Sequence, residues 1–350
     1  MRAYRLTRHG GSVVPMLSED AAPIPGPNEV QIEVAAASLN YRDLIVRDNA
    51  ATGNYYGRIP LSDAAGRITA VGDDVTSWRV GDKVAASFFR DWRGGPFKAE
   101  YMASALGGSA CDGVLAESIV LPQTSVVSIP EHLSMEQAAT LPCAAVTAWQ
   151  ALVARGGIRE GEIVLIQGTG GVALFALQFA VALGAHPVVL SSSDAKLERA
   201  RQLGASTLIN YRTHPEWDKA VLESTGNEGA NVVVELGGPE TYERSIRSVA
   251  AGGRIAQIGV LTGFGPTPNL SRLQSMNADI VGITVGSVDH FSAMNAFIEK
   301  QKLVPVVDRA FDFEDAAAAY QYLRSGQHFG KVVVRVCGGS SVRLPTPQEQ

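Results

Sequence analysis

The sequence predicts an α/β protein made of a β-rich domain and a doubly wound parallel sheet. Two textures and one loop predict it. Up to about residue 125, short runs rich in Val, Ile and Ala are separated by Gly, Pro and Asp turns, the pattern of a compact barrel-like or sandwich domain. From about Met135, apolar runs alternate with helical stretches, which signals parallel strands covered by helices. The Gly-rich loop "GTGG" joins one such run to the next helix. A chain of 350 residues is long enough to bury two cores.

Taken in chain order, "MRAYRLTRHGG" alternates polar and apolar residues and makes a first strand. "EVQIEVAAASL", "GRITAVG" and "DKVAASF" follow as strands, punctuated by "PIPGPNE", "VGDDV" and "RVGDKV". The irregular, Gly-rich stretch from Arg90 to Gly113 is expected to be a surface loop. "MEQAATLPCAAVTAWQALV" is Ala-rich and helical, with Pro142 interrupting it. Strand and helix then alternate: "EIVLIQG" with "GGVALFALQFAVALGA", "PVVLSS" with "AKLERARQLGA", "STLIN" with "HPEWDKAVLEST", and "ANVVVELGG" with "PETYERSIRSVA". "GRIAQIGV" and "DIVGITVGS" are further strands. The helix from Val172 to Leu183 carries one polar residue, Gln178, so cover on both sides is expected. Helices at "HFSAMNAFIEKQKL" and "FEDAAAAYQYLRSG" and a strand "GKVVVRV" close the order, and the polar tail "GGSSVRLPTPQEQ" is expected to be poorly ordered.

Composition narrows the function classes. Hydrophobic residues are 46%, charged residues 19%, and the formal net charge is -5. No Lys/Arg cluster overrides that balance, which argues against a nucleic-acid partner. No uncharged apolar run is long enough to span a membrane, and the first residues lack the apolar core of a signal peptide. Cys111, Cys143 and Cys337 are too few and scattered for a disulfide framework, so a reducing cytoplasm is expected.

The strongest local signal is "VLIQGTGGVALFALQFA", an apolar strand running into Gly168-x-Gly170-x-x-Ala173 and then a helix. Gly168 permits a tight turn, Gly170 lets backbone approach a pyrophosphate, and Ala173 lets helix pack on strand. Gly171 and Val172 then present free N–H groups to phosphates. At the end of the next strand an NAD enzyme usually carries an acidic residue for the ribose hydroxyls. Here stand Ser191, Ser192 and Ser193, with Lys196 following. Small hydroxyls and a cation suit a 2′-phosphate, which favours NADPH over NADH. The bland alternative, a Ser-rich turn with Asp194 as helix N-cap and Lys196 solvated, is compatible with it.

"SLNYRDL", "SDAAGRITAVG", "VGDKV", "GTGGVA" and "HFGKVVV" together resemble the landmarks of the medium-chain dehydrogenase/reductase superfamily. The resemblance covers nearly the whole chain. It implies a GroES-like catalytic domain over 1–125, a Rossmann cofactor-binding domain over 126–289, and a return to the catalytic domain over 290–350. Zinc enzymes of the superfamily hold catalytic zinc with a Cys, a His and a Cys. The matching positions here are Asn40, Ser62 and Cys143, with Asp63 next to Ser62. One soft ligand of three is too few for zinc, and the loop from Arg90 to Asp112 offers only Cys111 where a structural zinc lobe carries four cysteines. The nearer resemblance is therefore to the zinc-free branch of quinone oxidoreductases, enone reductases and enoyl reductases, with no metal. It implies cofactor contacts from Asn40, Thr147, Tyr211, Gly330 and Lys331, and a nicotinamide-side wall around Gly259, Val260 and Val285.

Without a Lewis acid, quinones and enones are the suitable acceptors, because conjugation stabilises the oxyanion or enolate that hydride transfer leaves. The expected activity is hydride transfer from NADPH to a small-molecule carbonyl, enone or quinone. Proton-donor candidates are Tyr41, beside Asn40, and Tyr55 and Tyr56 of "TGNYYG"; Asp63 either orients substrate or caps a turn. An alcohol or aldehyde dehydrogenase of the same superfamily, and a non-catalytic NADP-binding protein, stay open as alternatives. The apolar strand "DIVGITVGS" offers an edge for pairing with a second copy, and a homodimer is expected.

Overall fold

The structure is a computed structural model of the whole chain and describes residues 1–10, 12–50, 55–263, 265 and 268–337. The expected polar tail, 338–350, lies outside the described residues, as do Gly53 and Asn54 of "TGNYYG". Strands β1 (Arg2–His9) and β2 (Ser12–Glu19) form an antiparallel ribbon. β3 (Glu29–Leu39), β4 (Asp63–Val71), β5 (Lys83–Ala86), β6 (Ser118–Pro122) and β7 (Val126–Ser128) belong to a larger sheet. Pairing of β7 with β5 carries that sheet to residue 128, past the expected junction at 125.

The second unit is a sheet of β8 (Ile163–Gln167), β9 (His186–Ser191), β10 (Thr207–Asn210), β11 (Ala230–Glu235), β12 (Val249–Gln257) and β13 (Asp279–Gly282). Its order is β10-β9-β8-β11-β12-β13, with every pair parallel. Val164, Leu165, Ile166, Val232, Val233 and Val234 are buried on both faces, which is why these strands read as continuous apolar runs rather than alternating ones. The order reverses between β8 and β11, and that switch point opens a crevice at the carboxyl ends of the strands. The helix Gly171–Ala182 starts at its rim and is buried from Ala173 to Leu177 and at Phe179 and Ala180. Its one polar residue, Gln178, donates to Val304 O at 2.7 Å. The helix Asp194–Gln202 is capped by Ser193, whose Oγ accepts Lys196 N, and not by Asp194, which instead accepts Asn210 Nδ2 at 2.7 Å.

The chain then returns. β14 (Val307–Asp312) and β15 (Lys331–Arg335) join the first sheet, which runs β14-β15-β3-β4-β5-β7 with β6 on β3. β15 pairs antiparallel with the end of β3, Val332 opposite Leu39. That pairing sets Lys331 beside Asn40 and is the reason residues far apart in the chain share one site.

The Arg90–Gly113 segment is a surface loop, as expected, with most of Asp91–Ala103 exposed, and it is anchored by Trp92, buried beside Phe89. Trp92 meets Phe97 edge-on at 4.9 Å and stacks on Tyr101 at 6.1 Å between centroids. Its carbonyls at Trp92 and Arg93 accept Val288 N and Asp289 N at 3.1 and 2.9 Å, which ties the loop to the start of the helix Val288–Gln301. The Ala-rich segment is a composite, a short helix Met135–Ala138 followed by π-helical turns at Leu141–Ala145 and Gln150–Ala154 around the turn Val146–Trp149. Pro142 has no N–H to donate, and wide turns of this kind recur at functional sites.

Candidate active site

Gly168 has φ +83, a left-handed conformation that glycine adopts without strain, and its N–H bonds Leu190 O at 2.7 Å. A Cβ on Gly170 would meet, beyond its own neighbours, only His328 Nε2 at 3.9 Å among the described residues. The space above the loop is therefore an open cradle at the start of an apolar helix, where backbone N–H groups and the helix dipole favour an anion. Beside it, Ser191 is buried at the end of β9, its Oγ accepts Ser193 N, and its carbonyl accepts Tyr211 N at 3.1 Å. Ser192 and the exposed Tyr211 ring thus share one strand edge. Lys196 Nζ donates to Gly326 O at 2.8 Å and His328 O at 2.9 Å, so the ammonium is engaged by the return loop while lying at this edge.

The return loop docks on the cradle. Gly330 N donates to Thr169 O at 3.0 Å. The Lys331 stem passes so close to Gly171 that a Cβ there would come within 2.6 Å of Lys331 Cδ. The buried ammonium then reaches Leu39 O at 2.7 Å and Asn40 Oδ1 at 2.5 Å. Asn40 N donates to Asp43 Oδ2 at 2.7 Å at the start of the helix Tyr41–Asn49. On β4, Asp63 is fully buried; one oxygen accepts Ser62 Oγ at 2.6 Å and the other accepts Cys143 N at 3.1 Å. Asp63 thereby caps the π-helical turn holding Cys143.

Charge and burial compete throughout this network. Burial raises the Asp63 carboxyl, opposed first by the Lys331 ammonium. Burial pushes the Asp43 carboxyl up to about 6, opposed first by Arg42. Burial lowers Lys331, and Asp63, Cys143 and Asp43 oppose that. The Cys143 thiol is driven far up by burial and then by Asp63, so it is a neutral thiol. Asp43 and Arg42 were not singled out from sequence. Arg42 lies over the Phe88 ring at 4.7 Å and donates to Leu106 O at 3.1 Å.

The remaining candidates fall into place unevenly. Thr147 and Val285 are buried, and Val285 has φ +49. Gly286, next to Val285, is pressed on Val146, where a Cβ would stand 2.7 Å from Val146 Cγ1. Gly259 approaches Leu236 O so closely that no Cβ fits, and Val260 lies against Gly238. Tyr41 is 43% exposed at the start of its helix, close to Asn40. Tyr55 packs against the cluster of Leu6, Val13, Val46 and Ala50. Sequence reasoning missed Glu235, whose carboxylate at the end of β11 takes Gln167 Nε2 at 2.7 Å, Thr241 Oγ1 at 2.5 Å, the Ser245 hydroxyl, and Gly237 and Gly238 N–H groups at 2.9 and 3.0 Å. A carboxylate ending an otherwise apolar strand in "VVVELGG" was the available signal.

The family model for the alcohol dehydrogenase GroES-like domain matches residues 26–131, and that for zinc-binding dehydrogenases matches residues 171–300. A zinc-type alcohol dehydrogenase-like protein of Schizosaccharomyces pombe is 44% identical over 322 residues, covering 89% of this chain and 91% of that protein. The chain is a medium-chain dehydrogenase/reductase. As a member of that superfamily it is an oxidoreductase, with the GroES-like and Rossmann parts of the family fold. A putative alcohol dehydrogenase from Sinorhizobium meliloti 1021 superposes with TM-score 0.89 at 38% identity, over 96% of this chain and 98% of its own. A 2-octenoyl-CoA carboxylase reductase in complex with NADP and 2-octenoyl-CoA superposes with TM-score 0.79 at 27% identity, over 92% and 82%. Among the described residues no helix is long and apolar enough to cross a membrane.

Proposed function

We propose that this medium-chain dehydrogenase/reductase transfers hydride from NADPH to a conjugated acceptor, an enone, enoyl thioester or quinone, without zinc. The observation that carries the reading is the buried Lys331 ammonium bonded to Asn40 Oδ1 and Leu39 O beside Asp63. The three positions matching the zinc ligands are an amide engaged by that ammonium, a hydroxyl bonded to Asp63, and a neutral thiol. A catalytic zinc needs about three anionic or imidazole donors, and this set does not fit one. Among the described residues, no group of three His, Cys, Asp or Glu side chains is placed to hold a metal.

A dinucleotide does fit, at the open cradle over Gly170. When bound, its nicotinamide supplies the hydride. The chain's own residues position it: Thr147, Val285, Gly259 and Val260 form the reacting end, and Gly168 to Val172 hold the diphosphate. Ser191, Ser192, Tyr211 and Lys196 contact the adenosine 2′-phosphate, a reading supported by the absence of a carboxylate at the end of β9 and by the NADP bound to the octenoyl-CoA relative. Asn40 and Lys331 make the polar floor, and Tyr41 is the exposed hydroxyl nearest to them in the chain and the candidate proton donor. The catalytic unit runs to residue 128, where β7 ends, and β13, an edge strand with Ile280 exposed, joins two copies into a dimer.

A turnover panel tests the reading: NADPH against NADH with enones, enoyl thioesters, quinones and aldehydes, alongside zinc quantitation and light scattering. NADPH-dependent reduction of a conjugated acceptor by zinc-free protein is expected. Stoichiometric zinc with alcohol oxidation as the sole activity would sink it.

A further inference from the structure

Glu235 stands at the switch point between β8 and β11, and the chemistry proposed above gives it no task. It is completely buried. Its hydrogen-bond donors among the described residues are all neutral: the Gln167 amide, the Thr241 and Ser245 hydroxyls, and the Gly237 and Gly238 N–H groups. Burying a carboxylate without a cation is costly, and a fully satisfied polar network fixes the backbone it bonds. Oε1 gathers the Gly237 and Gly238 N–H groups at 2.9 and 3.0 Å and Thr241 Oγ1 at 2.5 Å, which sets the turn where Gly238 has φ +105. The backbone carbonyl of the same residue accepts Ile258 N at 3.1 Å and Gly259 N at 3.0 Å. One residue therefore holds two loops, and the loops touch. Leu236 O lies where a Cβ on Gly259 would stand, and a Cβ on Gly238 would stand 3.4 Å from Val260 Cα. On the other side, Oε2 takes Gln167 Nε2 at 2.7 Å, and Gln167 Oε1 accepts Leu236 N at 3.1 Å and Gly237 N at 3.0 Å. Gln167 is the residue before Gly168, so the chain of bonds runs from the phosphate loop to the Gly259–Val260 wall.

We infer that Glu235 is a positioning residue for hydride transfer: with Gln167 it locks the Gly259–Val260 wall at a fixed distance from the phosphate loop, and so sets where the reacting end of the dinucleotide lies relative to its diphosphate. This rests on the dinucleotide reading above. The carboxylate touches no reactant and acts through the two loops it holds. A wall displaced by an ångström misaligns the transfer, at a cost that reaches about hundredfold in rate. The diphosphate contacts, made by the Gly168–Val172 backbone, stay in place. A carboxylate suits this post because it offers two acceptor oxygens and no donor. Glu235→Gln keeps the shape but turns an amide N–H onto the Gln167 amide, donor against donor. In the double variant Gln167→Glu/Glu235→Gln the two side chains are exchanged, and every donor again meets an acceptor.

The test is single-turnover oxidation of bound NADPH by the best conjugated acceptor of the turnover panel, followed by the loss of NADPH absorbance. Equilibrium binding of NADPH and melting curves are measured on the same proteins. Glu235→Gln is expected to slow hydride transfer at saturating cofactor by about tenfold to hundredfold, with Kd for NADPH within about threefold of the parent. Gln167→Glu/Glu235→Gln is expected to recover the rate to within about threefold. A merely structural role lowers the melting temperature of Glu235→Gln and leaves the transfer rate of the folded protein at the parent value, and that result overturns the inference. So does a loss of NADPH affinity with the saturated rate unchanged, and so does a double variant that binds NADPH yet stays as slow as Glu235→Gln. If Glu235→Gln does not fold, Thr241→Val, which removes one donor at the same oxygen, takes its place. A rate loss of about threefold or more is then expected, and an unchanged rate overturns the inference. A parent that neither binds nor oxidises NADPH overturns the dinucleotide reading as well, whereas the outcomes above leave that reading standing.

Discussion

Lys331 shows how one side chain does two jobs. Its stem fills the space that Gly171 leaves, and its ammonium supplies the positive charge among Asp43, Asp63 and the Cys143 thiol. Removing one partner from a buried charged network leaves the others uncompensated, at a cost of about 3–5 kcal/mol. Lys331→Met is therefore expected to destabilise the fold by that amount in urea denaturation, while a neutral exposed lysine substitution such as Lys219→Met changes it by less than about 0.5 kcal/mol. Asp43 makes a pH prediction. Its carboxyl titrates at about 6 in the folded chain, against 3.8 for the ordinary group. Between those values the native state binds more protons than the unfolded one, so this group's contribution to stability is lost as pH rises. Asp43→Asn is expected to gain stability relative to the parent between about pH 4 and pH 6, by on the order of 3 kcal/mol, and to hold a constant offset above that. Parallel melting curves across this range check it; a constant offset throughout would show that Asp43 titrates normally.

At the scale of elements, the unit that positions the cofactor is strand β8, the Gly loop and the helix Gly171–Ala182. Its chemistry was legible because the requirements are local: a left-handed turn at Gly168, a missing side chain at Gly170, and an apolar helix behind them. Gly168→Ala is expected to cost about 1–2 kcal/mol from the left-handed backbone alone, and to weaken dinucleotide binding by more than that factor, because the loop N–H groups turn away. Calorimetric binding alongside thermal unfolding separates the two effects. The Arg90–Gly113 segment is exposed over most of its length, as its Gly and charged residues signal, but its anchoring was not legible. The tight aromatic cluster of Phe89, Trp92, Phe97 and Tyr101 becomes visible only when these rings converge.

For the whole molecule, one apolar core runs through both units, with Ala36, Ala65, Ala85 and Val333 of the first sheet in the same cluster as Ile166, Ala173 and Phe179 of the second, and individual contacts add to it. Trp92 and Arg93 carbonyls hold the start of the helix Val288–Gln301, Lys331 lies on Gly171, and Gly330 bonds Thr169. Trp92 is 2% exposed at one of these joints. Trp92→Ala is expected to cost about 3–5 kcal/mol and to raise KM more than it lowers kcat, because the loop is placed at the joint and outside the polar network. Steady-state kinetics on a conjugated acceptor, with denaturation of the same protein, checks both.

Sequence by itself determined the alternating strands and helices of the parallel sheet and the phosphate loop. Each of these depends on the identity or spacing of residues close in the chain. Tertiary structure decided the rest. Asn40 and Lys331 were each singled out, but their bond exists because β15 pairs antiparallel with β3. Asp63 was left with two roles, and only the fold shows that it accepts the Cys143 N–H. His328 opens the "HFGKVVV" segment that the sequence marked, but only the fold brings its ring near Gly170. Local backbone chemistry is written in neighbouring residues, whereas charge compensation and ligand contacts belong to pairs that only folding brings within a few ångströms.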